Sequence, residues 1–164
     1  MGLQLPGELR SLLSMLGFTW PEADETKLFE MGGAWMSFAA GHGGPLGDAD
    51  AHAQQVWQAN KGDDITAFRE AWSKDDSAKS NLEDFGTAAT IIGAGLMVCG
   101  GIVLALKINV IVQLVILAIQ IAQAIATAVV TFGASLAEIP LFKMITQAAI
   151  DILIDMALEV ILDG

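Results

Sequence analysis

Apolar residues recur at alternating steps of three and four through Leu28, Met31, Trp35, Phe38, Ala49 and Val56, with His42, Pro45 and His52 filling the places between. That spacing draws one seam along one face of a helix and predicts a long helix from about Ala23 to Asn60. The seam stops at "WQANKG", restarts at Ile65, Phe68 and Trp72, and continues through Leu82, Phe85 and Ala89 as a second helical run. Helix, glycine turn and helix make an αα-hairpin reversing between Asn60 and Asp64. In it Trp57 covers the apolar end and Gly62 lets the chain turn. Upstream, a short helix near Pro6 to Leu16 leads into the turn "GFTWPEADE", where Pro21, Glu22, Asp24 and Glu25 suit a helix start.

Within the long helix, "GHGGPLGDAD" opposes helix geometry, because Pro45 lacks a backbone donor and each interior glycine costs about 1 kcal/mol relative to alanine. The heptad frame nevertheless survives the stretch. Two outcomes stay open there, a kinked or loosened helix and a clean break. His42 and His52 lie on the seam ten residues apart, and no carboxylate completes a ligand set with them at helical spacing, so both read as packing or interface residues.

Polarity changes sharply at Asp84. Fourteen of the nineteen acidic residues lie at or before it, and from Phe85 to Ala137 there is no acid and a single base, Lys107. The division predicts residues 1–84 as an amphipathic helical hairpin and 85–164 as an apolar helical segment, packed with the hairpin as one domain or standing apart. Two uncharged runs, "TAATIIGAGLMVCGGIVLAL" and "INVIVQLVILAIQIAQAIATAVVTFGAS", flank Lys107, and each can cross a hydrocarbon core of roughly 30 Å. One very long helix or a hairpin fits them, with Gly100 and Gly101 the place for a break. Along the second run Asn109, Gln113, Gln120, Gln123, Thr127 and Thr131 form a polar stripe on an apolar cylinder, suited to a line inside a bundle or to its solvent edge. In "ASLAEIP", Ser135 and Glu138 are spaced as a capping box, and a last helix follows to about Leu162 with Asp151, Asp155, Glu159 and Asp163 along one side. That row is straight, whereas a carboxylate cage needs convergent ligands, so it reads as a solvated face.

Composition narrows the function classes. Apolar residues make up 54% of the chain, mean hydropathy is +0.55, and net charge is −11. The eight Lys and Arg residues are scattered, which argues against nucleic acid as a partner. Cys99 stands alone, so no intrachain disulfide forms and the thiol reads as a small buried hydrophobe. "MGLQLPGELR" has no basic region leading into an apolar one, which predicts no cleavable signal peptide. No phosphate loop, nucleotide fingerprint, nucleophile with a base, or His/Cys ligand set is present, so neither catalysis nor a cofactor is expected. The pairs Asp24 with Glu25 and Asp75 with Asp76 diverge by about 100° on a helix and do not converge on a substrate.

At "WQANKG", with the seam before it and "ITAFREAW" after it, the chain resembles the WXG-type, Esx-like helical hairpins of type VII secretion. "LQLPGEL", "GFTWPEADETKL", "AFREAW", "KINVIVQLVILA" and "TFGAS" look like the WXG-like N-terminal domain of large bacterial polymorphic toxins related to the outer-membrane channel-forming toxin CpnT. The resemblance implies an all-α fold, a long antiparallel helical hairpin followed by long apolar helices. It also implies a non-catalytic module that binds small WXG-like helical proteins and the secretion machinery, forms homo- or hetero-oligomers, and is secreted or associated with the cell envelope. Trp57, Gly62, Phe68, Trp72 and Trp35 are the expected partner-binding and hairpin-turn residues. Channel formation and membrane passage by the apolar half form the alternative, a membrane-inserting oligomer component with Asn109, Gln113, Gln120, Gln123 and Thr127 along its lumen. Gly62 stands five residues after Trp57 rather than two, and the chain has no tyrosine, so a Tyr-x-x-x-Asp/Glu export signal has to come from a partner.

Overall fold

The computed structural model describes residues 2–163, and every regular element among them is helical. Five α-helices follow in order: α1 (Gly7–Met15), α2 (Glu25–Ala59), α3 (Asp63–Trp72), α4 (Ala78–Thr127) and α5 (Ile139–Asp163), with a 3-10 segment at Ala134–Glu138. The protein is all-α, as its periodicity implies. α2 passes through Pro45 without interruption. Gly41, Gly43, Gly44 and Gly47 face open space there, while His42 and Leu46 keep the packed side, so tertiary contact overrides poor propensity.

Two local expectations are corrected, and one open alternative is decided. The second seam is not one run, because residues 73–77 form a turn between α3 and α4. Asp75, Asp76 and Ser77 supply side chains that compete with helical bonding, and the Ser77 hydroxyl accepts from the Ser80 amide (3.1 Å), which caps α4. α4 continues through Gly100 and Gly101 to Thr127, so the long-helix alternative holds and joins the first uncharged run to most of the second. Ser135 makes no capping box. Its hydroxyl donates to the Ala124 carbonyl (2.8 Å), and its amide donates to Thr131 Oγ1 (3.3 Å), which ties the segment back to the end of α4.

Packing divides the chain differently from the polarity change, which falls inside α4. One unit takes the residues up to Lys27 together with those from Cys99 onward, and the other takes Leu28–Val98.

The first unit has a conventional core. Leu5, Leu13 and Leu16 meet Val110, Leu114 and Leu117 of α4 and Ile150 of α5. α1 ends in a Schellman turn, with the Phe18 amide on Leu13 O and the Gly17 amide on Ser14 O, and Gly17 supplies the required positive φ (87°). Asp24 caps α2 through the Lys27 amide (3.2 Å). Lys107, the single base of the apolar half, lies 1% exposed in this core. Its ammonium donates to Glu25 Oε2 (2.8 Å) and to the Ala23 carbonyl (2.6 Å), and sits 5.8 Å from the centre of the Trp20 ring. The other Glu25 oxygen accepts from the Leu3 amide, and the Trp20 indole donates to the Leu3 carbonyl (3.3 Å). Burial opposes the Glu25 charge, but the Leu3 amide and the Lys107 ammonium outweigh it and hold the carboxyl at about 2.

The second unit pairs α2 with α3 and the first part of α4 in antiparallel order. Trp57 meets Phe68, Asp50 meets Trp72 and Lys79, His42 meets Leu82, and Gly32 meets Gly93. At the last crossing a Cβ on Gly32 would lie 2.8 Å from the Gly93 carbonyl, and one on Gly93 would lie 2.9 Å from that of Gly32. Only glycine at both positions lets the two backbones approach so closely. Large side chains are seldom covered in this unit: Ala53 and Ala89 are its buried apolar residues.

Lys107→Met should lower stability by about 3–5 kcal/mol, since it strands a buried carboxylate. The double variant Glu25→Gln/Lys107→Met should recover much of that loss in denaturant titrations. The depressed Glu25 value also sets a pH window. Its ionised form contributes fully above the ordinary value of 4.5, and that contribution is lost as pH falls toward about 2. Denaturation midpoints measured downward from pH 6 should therefore drop more steeply for the wild type than for Glu25→Gln.

Candidate partner-binding surface

The hairpin of the second unit carries two aromatic groups, one at the turn and one far along the helices. At the turn, Gly62 (φ 145°) precedes α3 in a conformation that side chains resist, and a Cβ there would also strike Asp64 Oδ1 at 2.6 Å. Trp57 lies 5.7 Å from Phe68, and Phe68 lies 6.0 Å from Trp72, centroid to centroid. The Trp72 indole donates to Asp50 Oδ1 (2.9 Å), and the Gln54 amide donates to Asp50 Oδ2 (2.8 Å). Those donors hold the Asp50 carboxyl below its ordinary range, and Asp50 in turn raises Lys79, 3.4 Å away. Three of the residues expected at the turn, Trp57, Phe68 and Trp72, thus form one chain of ring contacts beside Gly62.

Trp35 belongs elsewhere. It lies some 22 residues back along α2, about 33 Å by helical rise, and meets Phe38 and Phe85 at 6.4 Å each. Phe38 and Phe85 are 5.5 Å apart edge to face, and the His42 ring stacks on Phe38 at 5.6 Å and 28°. His42 Nε2 sits 2.6 Å from the Leu82 carbonyl, so this histidine joins the two helices, as a packing residue should.

Between α2 and α4 these side chains line an open apolar trough. One cavity of about 350 Å³ is bounded by Met31, Ala34, Trp35, Phe38 and Phe85. A second of about 450 Å³ is bounded by Phe38, Gly41, His42, Pro45, Leu46, Ala49 and Leu82. Phe38 is common to both, and from Met31 to Ala49 the trough follows α2 for about 27 Å. Met31, Phe38, Leu82 and Phe85 each remain 44–51% exposed, so the two helices leave their apolar seam half covered. A groove of that length and lining suits the apolar face of another helix. Phe38, Phe85 and His42 were not singled out as site residues from sequence. The signal existed, because all lie on the two seams and an antiparallel register counted from Gly62 brings them opposite one another.

The polar stripe forms no comparable site. Asn109 bonds to the Ala105 carbonyl (2.9 Å) and Thr127 to the Gln123 carbonyl (2.9 Å), both on their own helix. Gln113 and Gln120 are half-buried and Gln123 is exposed, along a strip of α4 beside its packed face. Asp151, Asp155, Glu159 and Asp163 are all exposed on α5, and Cys99 is half-buried and unpaired. Among the described residues no three His, Cys, Asp or Glu side chains are grouped to hold a metal ion.

Trp57→Ala should cost about 2 kcal/mol, less than a fully buried indole, because the residue is half-buried and its ring meets Phe68 at 5.7 Å. Thermal melting of that variant, compared with Phe68→Ala and the double substitution, should show coupling between the two rings.

The family model described as WXG100 like domain matches residues 5–149 of the chain. No curated protein and no solved structure matches it.

Proposed function

The chain belongs to the WXG100-like domain family, and on that premise we propose that it is a non-catalytic targeting and partner-binding module, the N-terminal part of a type VII-secreted polymorphic toxin. The family ties the chain to type VII secretion and to helical-protein partners. The finer reading adds that a small WXG-like protein binds the hairpin and that the complex carries a toxin domain out of the cell. It is supported above all by the trough of the second unit, an apolar groove of helical length between α2 and α4 that the chain itself leaves open.

Charge adds to the picture of the partner. Residues 28–98 carry ten acidic against four basic side chains, a net charge of −6, so a helix with an apolar stripe and basic flanks is favoured. These 164 residues hold no tyrosine, and on this reading the partner supplies the export signal. In this role the protein is secreted or held at the cell envelope, together with the secretion machinery.

A second reading, a membrane-inserting or pore-forming oligomer component related to channel-forming toxins, draws on α4. This helix is long and apolar enough to cross a membrane, with a hydropathy of 2.6 over its most apolar window. Passage of the segment around Lys107 through a bilayer would break its pair with Glu25 and expose a charge costing at least about 2.5 kcal/mol, which ranks this reading second.

Co-expression with small helical proteins encoded beside the gene tests the first reading. One of them should co-purify in fixed stoichiometry, and Phe38→Asp/Phe85→Asp should abolish the complex while leaving the helical circular dichroism signal intact. Export of the wild type alone, or unchanged complex formation by the double variant, would refute the assignment.

A further inference from the structure

Within the first unit α4 buries Lys107, Val110, Leu114, Leu117 and Ala124, and a helix packed along one face normally carries polar residues on the other. Here it does not. Ile108, Val112, Val115 and Ile119 are 41–52% exposed, and the same alternation of threes and fours reaches exposed Gly101 and Ala105 before them and exposed Ala122 and Ala126 after them. That spacing is the a/d repeat of a coiled coil, held for nearly four heptads without one polar residue.

The borders of this seam select its occupant. On one side Asn109 and Gln123 stand a helical turn from seam residues, with Ile116 between them, and Leu104, Ile111 and Ala118 line the other side. The Gln123 side-chain amide meets no partner among the described residues, and Asn109 spends its Nδ2 on the Ala105 carbonyl (2.9 Å), which leaves its Oδ1 to accept. Hydrocarbon would strand these groups. A charged partner finds nothing to pair with, since the one charged residue between Phe85 and Ala137 is Lys107, buried against Glu25. Two copies of a chain at −11 can meet here without setting acid against acid, and amides both donate and accept, so the border is complementary to itself. The exposed seam offers roughly 700 Å² per chain, so a pair would bury roughly 1,400 Å², inside the range of about 1,200–2,000 Å² for stable interfaces.

We propose that this face of α4 is the interface of a homodimer, in which the seams of two copies pack as an antiparallel coiled coil. Direction follows from the borders. In a parallel pair the Asn109 side of one helix meets the Leu104 and Ile111 side of the other, whereas reversal sets amide beside amide and aliphatic beside aliphatic. Gln123 Nε2 then donates to Asn109 Oδ1 of the second copy, and the two-fold axis passes near Ile116. In that register Val112 faces Ala122 and Ile108 faces Ala126, so large side chains meet small ones along the seam. Lys107 keeps its pair with Glu25. This inference stands apart from the trough, which lies in the other unit.

Analytical ultracentrifugation of the full chain without detergent should show a dimer. Val112→Asp/Ile119→Asp should raise its dissociation constant at least about 100-fold, because it places carboxylates in an apolar seam. Ile145→Asp/Ile152→Asp, at exposed apolar positions of α5 in the same unit, should leave the dimer intact, as should Phe38→Asp/Phe85→Asp in the groove. Oxidation in a Cys99→Ser background reads the register. Val112→Cys/Ala122→Cys should give a covalent dimer, and neither single cysteine should, because like positions lie about 15 Å apart along the axis. A monomeric wild type, a dimer that survives Val112→Asp/Ile119→Asp, or a single cysteine that cross-links as well as the pair overturns the proposal. So does a dimer lost on Phe38→Asp/Phe85→Asp, which assigns it to the groove. A wild type recovered only with phosphatidylcholine vesicles overturns it too, since that result gives the seam to lipid.

Discussion

Two opposite charges with almost no access to water hold the first unit in one arrangement. Desolvating Glu25 and Lys107 costs several kcal/mol each, and their attraction offsets this only if the remaining oxygens and protons also find partners. They do: the Leu3 amide takes the free carboxylate oxygen, the Ala23 carbonyl takes another ammonium proton, and the Trp20 face lies beside the cation. The pair therefore fixes four stretches at once, namely the N-terminal residues, the loop carrying Trp20, the start of α2 and the middle of α4. An aliphatic pair of the same volume could fill that space, but it would not specify which oxygen meets which donor. Burial of Leu5, Leu13 and Leu16 against Val110, Leu114 and Ile150 then follows in a single register.

The second unit is built under a different constraint. Its helices touch through glycine at Gly32 and Gly93 and through rings toward the turn, and contribute few buried side chains. Close backbone approach brings α2 and α4 together without a layer of large residues between them. Met31, Phe38, Leu82 and Phe85 are consequently left at the margin, half in water. What looks like an incomplete bundle leaves an apolar groove of helical length between α2 and α4, the place the proposed partner would occupy. The aromatic residues that pack the two helices together here are the same ones that line the open groove.

The site was legible in unequal parts. Trp57, Phe68, Trp72 and Gly62 lie within sixteen positions of one another around a turn, so local spacing was enough to group them, and their rings do meet. Trp35 was expected with them as a seam residue, and the helix carries it about 33 Å from the turn, into the lining of the groove. Its true neighbours, Phe38 and Phe85, are one turn off and fifty residues off. Only the second required knowing how the hairpin pairs.

Periodicity, glycine and proline placement, and polarity determined the helical class, the ends of α1, α2 and α5 within a few residues, and the reversal at Gly62, because each of these is a property of short stretches of backbone. The turn at residues 73–77 escaped, since a seam can resume in phase after a break. Tertiary structure alone decided that Lys107 is a buried ion-pair partner rather than a mark of the bilayer or of a helix end. It also decided that α4 continues through Gly100 and Gly101, and that the packing boundary falls at Val98 rather than at the change in composition at Asp84. Each of these depends on groups that the chain separates by dozens of residues. Lys107 and Glu25 lie 82 positions apart, and nothing in the local pattern around either one names the other.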